Sequence, residues 1–278
     1  RQNTVLEARP CAYERSRGLI FELGDVKGLM PRGECAFEPF KPPARETALL
    51  AKIGRPVCFN ITGFKSEGGR TVALLSRRSV QESFIKERLS SLKPGAVLDC
   101  RITHLARFGA FADLGRGVAA LLPLDAISVS RIYSPADRLY TGEILKVLLR
   151  SRDELGRIVL SLKELLGSWE ENAALFSKGD TVEGIVRSCP DYGVFIELAP
   201  NLTGLSEPFE GAREGMRARV FLKNIIPKKM KIKLDILELY EALKERPDDP
   251  RYFFEGERMT HFRYSPAGCE KVVETFFE

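Results

Sequence analysis

The chain has 278 residues, enough for two or three domains, and 44% of them are hydrophobic, an ordinary share for a globular protein. Lysine and arginine exceed aspartate and glutamate by 43 to 38, a net charge of +5, which permits an anionic partner without requiring one. There is neither an apolar run long enough to span a bilayer nor a basic-then-apolar signal pattern at the N-terminus, so a soluble, cytoplasmic protein with no membrane partner is expected.

In chain order, short alternating strands recur in three similar runs. Residues 1–78 hold the first, with Gly18 to Leu23, then Gly28-Leu29-Met30-Pro31, then Gly54, and a closing strand Thr71 to Ser76. An insert, Glu34 to Thr47, carries Phe37, Pro39, Phe40, Pro42 and Pro43 and reads as a packed loop. Residues 79–92 open on Ser79-Val80-Gln81-Glu82, a capping-box pattern, and continue with Phe84, Ile85, Leu89 and Leu92 at helical spacing, which predicts a linker helix. Residues 93–163 carry the clearest run, with strands expected at Val97 to Ile102, Phe108 to Leu114, Val118 to Leu122, Ile144 to Arg150 and Arg157 to Leu162, the last two joined by a turn at Asp153 to Gly156.

A second linker helix is expected within 164–177, where Ser168-Trp169-Glu170-Glu171 repeats the cap and Leu165, Trp169, Ala173 and Phe176 lie on one face. Trp169 there reads as a packing residue rather than a base-stacking one. Residues 178–236 repeat the strands once more, through Gly193 to Leu198, Gly204-Leu205-Ser206-Glu207, Gly215 and Met230 to Asp235. The remainder, 237–278, reads as a helix from Leu237 to Glu245 ended by Pro247-Asp248-Asp249-Pro250, a hairpin of Tyr252-Phe253-Phe254 with Arg258 to Tyr264, and a helix from Pro266 to Phe277 that Gly268 weakens. The expected fold is mainly β: three tandem five-stranded barrels of the OB type joined by short helices, with a small α+β C-terminal unit.

The candidate chemistry is a pair of rings about a glycine. Phe108 and Phe111 flank Gly109 in the second run, and Tyr192 and Phe195 flank Gly193 in the third, whereas the first has Arg17 and Ile20 there with only Tyr13 nearby to substitute. Three residues apart, two rings point to opposite faces of a regular strand, so they share a face only if the chain bends between them, and glycine permits such a bend or a close backbone approach. An aromatic ring on a barrel face can stack a base whatever its identity, and the opposing reading is that one or both rings are core. Arg107, Arg131, Arg138, Lys146 and Arg150 are expected around the second ring pair, where arginine can pair with phosphate and stack on a base. In the third run Lys223, Lys228, Lys229, Lys231 and Lys233 form the densest basic stretch, and alternation sets Lys229, Lys231 and Lys233 on one face, either as a phosphate-holding ladder or as a solvated barrel wall.

Other chemistry has little support. The six cysteines are scattered without Cys-x-x-Cys spacing, and His104 and His261 are the only histidines, far apart and each read as a packed or exposed residue, so no metal site is expected. No glycine directly precedes a lysine, which excludes the phosphate-cradling P-loop, and no paired carboxylates or nucleophile with a base stand out, so no cofactor and no catalytic residue is expected.

With Pro94-Gly95, Phe108-Gly109-Ala110-Phe111, Gly142 and Ile158-Val159-Leu160-Ser161-Leu162-Lys163, the central run resembles the S1 domain, the RNA-binding OB barrel of ribosomal protein S1. The third run resembles it through Gly179, Tyr192-Gly193-Val194-Phe195 and Lys231 to Leu234, and the first is a degenerate copy, so the chain is similar to the short S1-like proteins of Clostridia and their relatives. The resemblance implies single-stranded RNA binding, with messenger RNA as ligand and the small ribosomal subunit as a further partner. The family's histidine after the third strand is replaced by Pro31, Pro123 and Glu207 in the three copies. Two functional readings stand: an RNA-binding protein acting in translation through Arg107, Phe108, Phe111, Arg131, Lys146, Arg150, Tyr192, Phe195, Lys223, Lys229, Lys231 and Lys233, or a protein-binding adaptor on the ribosome or an RNA-degrading assembly. The sequence leaves the oligomeric state open.

Overall fold

The computed structural model describes residues 4–37, 46–153, 156–241 and 249–278. The chain divides into two compact units, Arg1–Leu92 with Asp113–Ala119 and Asp153–Gly156, and Lys93–Ala112 with Ala120–Arg152 and Arg157–Glu278.

In the first unit, strands β1 (Leu6–Ala8), β2 (Pro10–Glu14), β3 (Gly18–Leu23), β4 (Val26–Pro31), β5 (Val57–Glu67) and β6 (Arg70–Ser76) form a sheet in the order β1-β5-β6-β4-β3-β2. β1 and β2 are one run broken at Arg9, next to Pro10, which has no N–H to give to a ladder. β1 pairs with β5 and β2 with β3, so the two pieces together hold the place of a single first strand. Leu19, Phe21, Met30, Val57, Phe59 and Leu75 fill the interior, joined by Leu49 from the short helix α1 (Glu46–Leu50). Pro39, Phe40, Pro42 and Pro43 of the expected insert loop lie outside the described residues.

The first linker helix, α2 (Arg77–Phe84), starts three residues earlier than the capping-box pattern suggests and continues as a π-helical turn over Ile85–Leu89. Its cap is Ser76, the extended last residue of β6, whose hydroxyl accepts from the Ser79 N–H. A strand that ends in serine can therefore begin the next helix without a connecting loop. Arg77 and Gln81 of this helix are buried and donate to the Gly117 carbonyl.

The second unit contains two closed barrels. β7 (Val97–Ala106), β8 (Gly109–Asp113), β9 (Ala119–Pro123), β10 (Ile144–Arg152) and β11 (Ile158–Ser161) close in the order β10-β11-β9-β8-β7. β12 (Thr181–Ser188), β13 (Val194–Ala199), β14 (Leu202–Ser206), β15 (Arg217–Ile226) and β16 (Lys231–Tyr240) close in the order β12-β13-β14-β16-β15. Both trace one circuit, first strand to fourth to fifth to third to second, and the first unit traces it too once β1 and β2 are counted as one strand. The copies also share backbone bonds: Gly142 N–H donates to Ile102 and Ile102 N–H to Glu143, as Gly215 does to Val186 and Val186 to Met216.

The second linker helix, α3 (Trp169–Ala173), has both halves of its expected capping box, Ser168 Oγ accepting from Glu171 N–H and Glu171 accepting from Ser168 N–H. Trp169 is 2% exposed and packs into the third barrel's core with Val186, Ile196, Val220, Leu222 and Ile232. Two polar joints tie the second and third barrels together. Asn201 is fully buried and satisfied, accepting from Val129 N–H and donating to the carbonyls of Lys163 and Gly167. Glu197 accepts from Arg187 Nε at 2.8 Å and from Arg138, which lies between β9 and β10, with all three side chains nearly buried.

The C-terminal part differs from its sequence reading. β16 runs on to Tyr240, paired with Arg217 of β15, where a helix from Leu237 is expected; the rest of that stretch, 242–248, lies outside the described residues. No helix spans Pro266 to Phe277. Instead β17 (His261–Arg263) pairs with β18 (Glu274–Phe276), because Gly268 sits at φ +74° and the β-branched Val272, Val273 and Thr275 favour extended backbone. Tyr252 to Phe254 form no strand; Phe253 N–H donates to Leu165, and the unit closes over Leu148, Leu165, Met259 and Phe277.

Candidate nucleic-acid interface

The ring pairs share a face, though not through a bend within a strand. Each second strand begins between them: β8 starts at Gly109 and β13 at Val194, leaving Phe108 and Tyr192 on the preceding turns. The first ring of each pair is exposed, Phe108 at 60% and Tyr192 at 69%, and the second is half-buried. The rings meet edge to face, with centroids 5.9 Å apart in the Phe108–Phe111 pair and 6.1 Å in the Tyr192–Phe195 pair, a favoured geometry for aromatic pairs. The glycines serve close approach: a Cβ at Gly109 would stand 2.4 Å from the Leu122 carbonyl oxygen, and one at Gly193 2.4 Å from that of Ser206.

His104 joins the second barrel's rings. It is exposed on β7 and stacks on Phe111, centroids 6.2 Å apart and planes 27° from parallel. Alternation sets it on the same face as buried Ile102, so its exposure is not legible in the sequence; it arises because the inward alternation of β7 stops at Ile102. The first copy lacks the ring pair, and neither Arg17 at the first ring position nor the nearby Tyr13 is free to replace it. Arg17 is paired with Glu14 and Glu67, and Tyr13 packs against the first core with its hydroxyl buried.

The basic residues divide by what they already touch. Arg107 is exposed on the turn before Phe108 and has no ion pair among the described residues. Lys146 is exposed on β10, its backbone N–H donating to Tyr252 Oη. Arg150 lies 3.7 Å from Asp125 and Lys223 3.0 Å from Asp235, so both are partly neutralised. Arg138, expected around the second barrel's rings, is instead buried against Glu197. Arg131 stands over the Tyr133 ring, 5.3 Å from its centroid, and lines a cleft with Tyr192 and Phe195 of the third barrel rather than joining Phe108 and Phe111.

The lysine ladder of the third barrel is shorter than alternation suggests. Lys229 belongs to a 3-10 turn, Pro227–Lys229, and Met230 at φ +47° reverses the chain before β16 begins at Lys231. Lys231 and Lys233 are exposed, alternating with buried Ile232 and Leu234. Register places Phe195 beside Leu205 and Leu205 beside Lys233. Lys233 is thus two strands, about 10 Å, from the ring on the same outer face. A base stacked on the ring and its backbone phosphate could be held together there.

Residues 91–163 match the S1 RNA binding domain family. The chain is 32% identical over 217 residues to the small ribosomal subunit protein bS1 homolog of Bacillus subtilis, covering 72% of this chain and 56% of that protein. It is 33% identical over 192 residues to small ribosomal subunit protein bS1 of Leuconostoc lactis, covering 63% of this chain and 44% of that one. The chain therefore spans about half the length of the curated relatives it matches. A crystal structure of a multidomain protein with nucleic acid binding domains from Streptococcus pneumoniae covers 84% of this chain and 73% of its own, at 14% identity and a TM-score of 0.27. That superposition is too loose to carry the fold assignment, which rests on the barrels themselves. The central barrel is thus the part of the chain that matches the S1 RNA binding domain, and over most of its length the chain is similar to ribosomal protein bS1.

Proposed function

We propose that the chain is a non-catalytic single-stranded RNA-binding protein whose second and third barrels hold the strand, with messenger RNA as its ligand in translation. The observation that carries this reading is the repetition, on two barrels, of an exposed ring set against a half-buried one at one place in the fold. A ring paid for by solvent exposure on both copies, beside cations that are largely uncommitted, suits bases stacked without regard to identity. Phe108, Phe111, Tyr192 and Phe195 supply the stacking surface, and Arg107, Lys146, Lys231 and Lys233 supply positive charge that has no ion pair among the described residues. The bS1 relatives are named as small ribosomal subunit proteins, which makes that subunit the partner to test after RNA.

The test is fluorescence anisotropy with labelled single-stranded RNA, comparing the intact chain with one carrying alanine at all four rings. The intact chain should bind with a log–log salt slope, and the folded variant should lose about 1–3 kcal/mol for each base it no longer stacks. Equal binding by the two proteins would sink the reading and turn attention to protein partners.

A further inference from the structure

The second and third barrels differ five residues before the ring glycine. The second has His104, which lies over Phe111; the third has Ser188, which pairs in register with Phe195 and covers nothing. Beside Phe195 the structure therefore opens into a cleft of about 710 Å³, within the range of about 300–1,000 Å³ usual for small-molecule sites. Its inner wall includes the apolar side chains of Trp169, Met230 and Val273, and its mouth includes Tyr192.

Four charged residues line the cleft. Arg187 is spent on Glu197. Arg131, from the segment between β9 and β10, and Lys271, from the C-terminal unit, are both exposed and neither has an ion pair among the described residues. Glu214 is the single acid, and its Oε1 accepts from Tyr133 Oη at 3.4 Å. Two free cations, an apolar wall and an aromatic mouth match the parts of one nucleotide: a phosphate, and a base with a π-face.

We propose that this cleft takes one nucleotide of the bound strand, its base against Phe195 and Tyr192 and its phosphate between Arg131 and Lys271. This rests on the RNA-binding reading above and deepens it. Neither cation belongs to the third barrel, so the subsite is completed by the second barrel and by the C-terminal unit, which thereby acquires a role in binding. In the second barrel the corresponding place beside the ring is taken by His104, stacked on Phe111.

Cys189 lines the cleft and is exposed, which makes it a native reporter; Cys11, exposed on the first copy, is the internal control. Alkylation of each cysteine by N-ethylmaleimide would be followed by peptide mass spectrometry, with and without a saturating single-stranded oligonucleotide. Binding of the same oligonucleotide to the intact chain and to Arg131→Ala/Lys271→Ala would be measured across a salt series. RNA should slow modification of Cys189 at least severalfold and leave Cys11 unchanged, and the double variant should bind more weakly with its salt slope reduced by about 0.7, the value for one phosphate. If RNA binds by anisotropy but Cys189 is unprotected, or the double variant keeps the full slope, the cleft is not a subsite while the RNA-binding reading stands. If the intact chain binds no RNA at any salt, both readings fall.

Discussion

The second and third barrels follow one strand circuit and carry the same ring pair, yet equivalent positions around those rings do different jobs. Two residues beyond the ring phenylalanine the second barrel has Asp113, which accepts from the N–H groups of Gly115 and Gly117 and shapes the next turn. The third has Glu197 there, holding two arginines in a nearly buried triad. Across the sheet, Leu121 faces Val159 in the second barrel where Leu205 faces Lys233 in the third. Five residues before the glycine, His104 covers a ring in one barrel and Ser188 leaves it open in the other. The first copy marks the limit of this drift, with Tyr13, Arg17, Ile20 and Glu22 at the corresponding places and an apolar row of Ile20, Leu29 and Leu74 across its sheet. The lesson is that the circuit depends on the interior side chains and on glycines at close approaches, so the outer face is free to specialise copy by copy.

The sharpest way to break the comparison is to remove the acid at its most divergent position. Glu197→Ala leaves Arg138 and Arg187 buried without their carboxylate and should destabilise the second unit by about 3–5 kcal/mol. Urea denaturation followed by the fluorescence of Trp169, the only tryptophan, reads this directly. Asp113→Ala, at the matching place, loses only turn hydrogen bonds and should cost about 1–3 kcal/mol; equal losses in the two variants would show that the triad adds nothing.

Next in size are the rings. Alanine at Phe108 and Phe111, or at Tyr192 and Phe195, should each weaken RNA binding by about 1–3 kcal/mol per stacked base. Installing the missing pair in the first copy, Arg17→Tyr with Ile20→Phe, should add much less, because Leu74 stands in that row where the third barrel has Lys233, and Tyr13 packs against the core. A smaller exchange isolates the cation: Lys233→Val should lower the salt slope of RNA binding by about 0.7, and Val159→Lys should raise it by a similar amount. Anisotropy titrations over a salt series measure all of these, and slopes indifferent to both lysine changes would remove Lys233 from the interface.

Much of this was readable beforehand, for physical reasons that also explain the remainder. Alternation and the recurring glycines identify the barrels, because inward positions and close backbone approaches tolerate few residue types. The capping box at Ser168 is found because its partners are three residues apart. Arg138 could not be placed from sequence, since its partner Glu197 is 59 residues away and belongs to another barrel. The same holds for Arg131, which reads as part of its own barrel but lines the next one's cleft. At the C-terminus an apolar spacing of 3 and 4 suggested a helix, yet Gly268 and the β-branched residues are satisfied better by a short strand pair. His104 reads from sequence as a packed or exposed residue and no more, because its stacking on Phe111 is a contact between strands.

The smallest expected difference is a pH dependence confined to the second barrel. Glu143 and Met216 are equivalent, as the shared bonds from Ile102 and Val186 show, and both are buried. Burial, with Asp249 nearby, pushes the Glu143 carboxyl up from 4.5 to about 7. One of its oxygens accepts from the Tyr140 N–H, and the other is buried without a hydrogen-bond partner among the described residues. A raised folded-state pKa means that the folded chain keeps a proton which the unfolded chain has already released. Its stabilising contribution is therefore complete below pH 4.5 and is lost as pH rises through about 7. Glu143→Met, the residue the third barrel carries, removes this loss: its stability relative to the intact chain should be greater above pH 7 than near pH 4.5, read as the shift in urea midpoint between the two. A difference that is flat across this window, or that runs the other way, would show that the Glu143 carboxyl reaches water and that the two barrels are alike at this position.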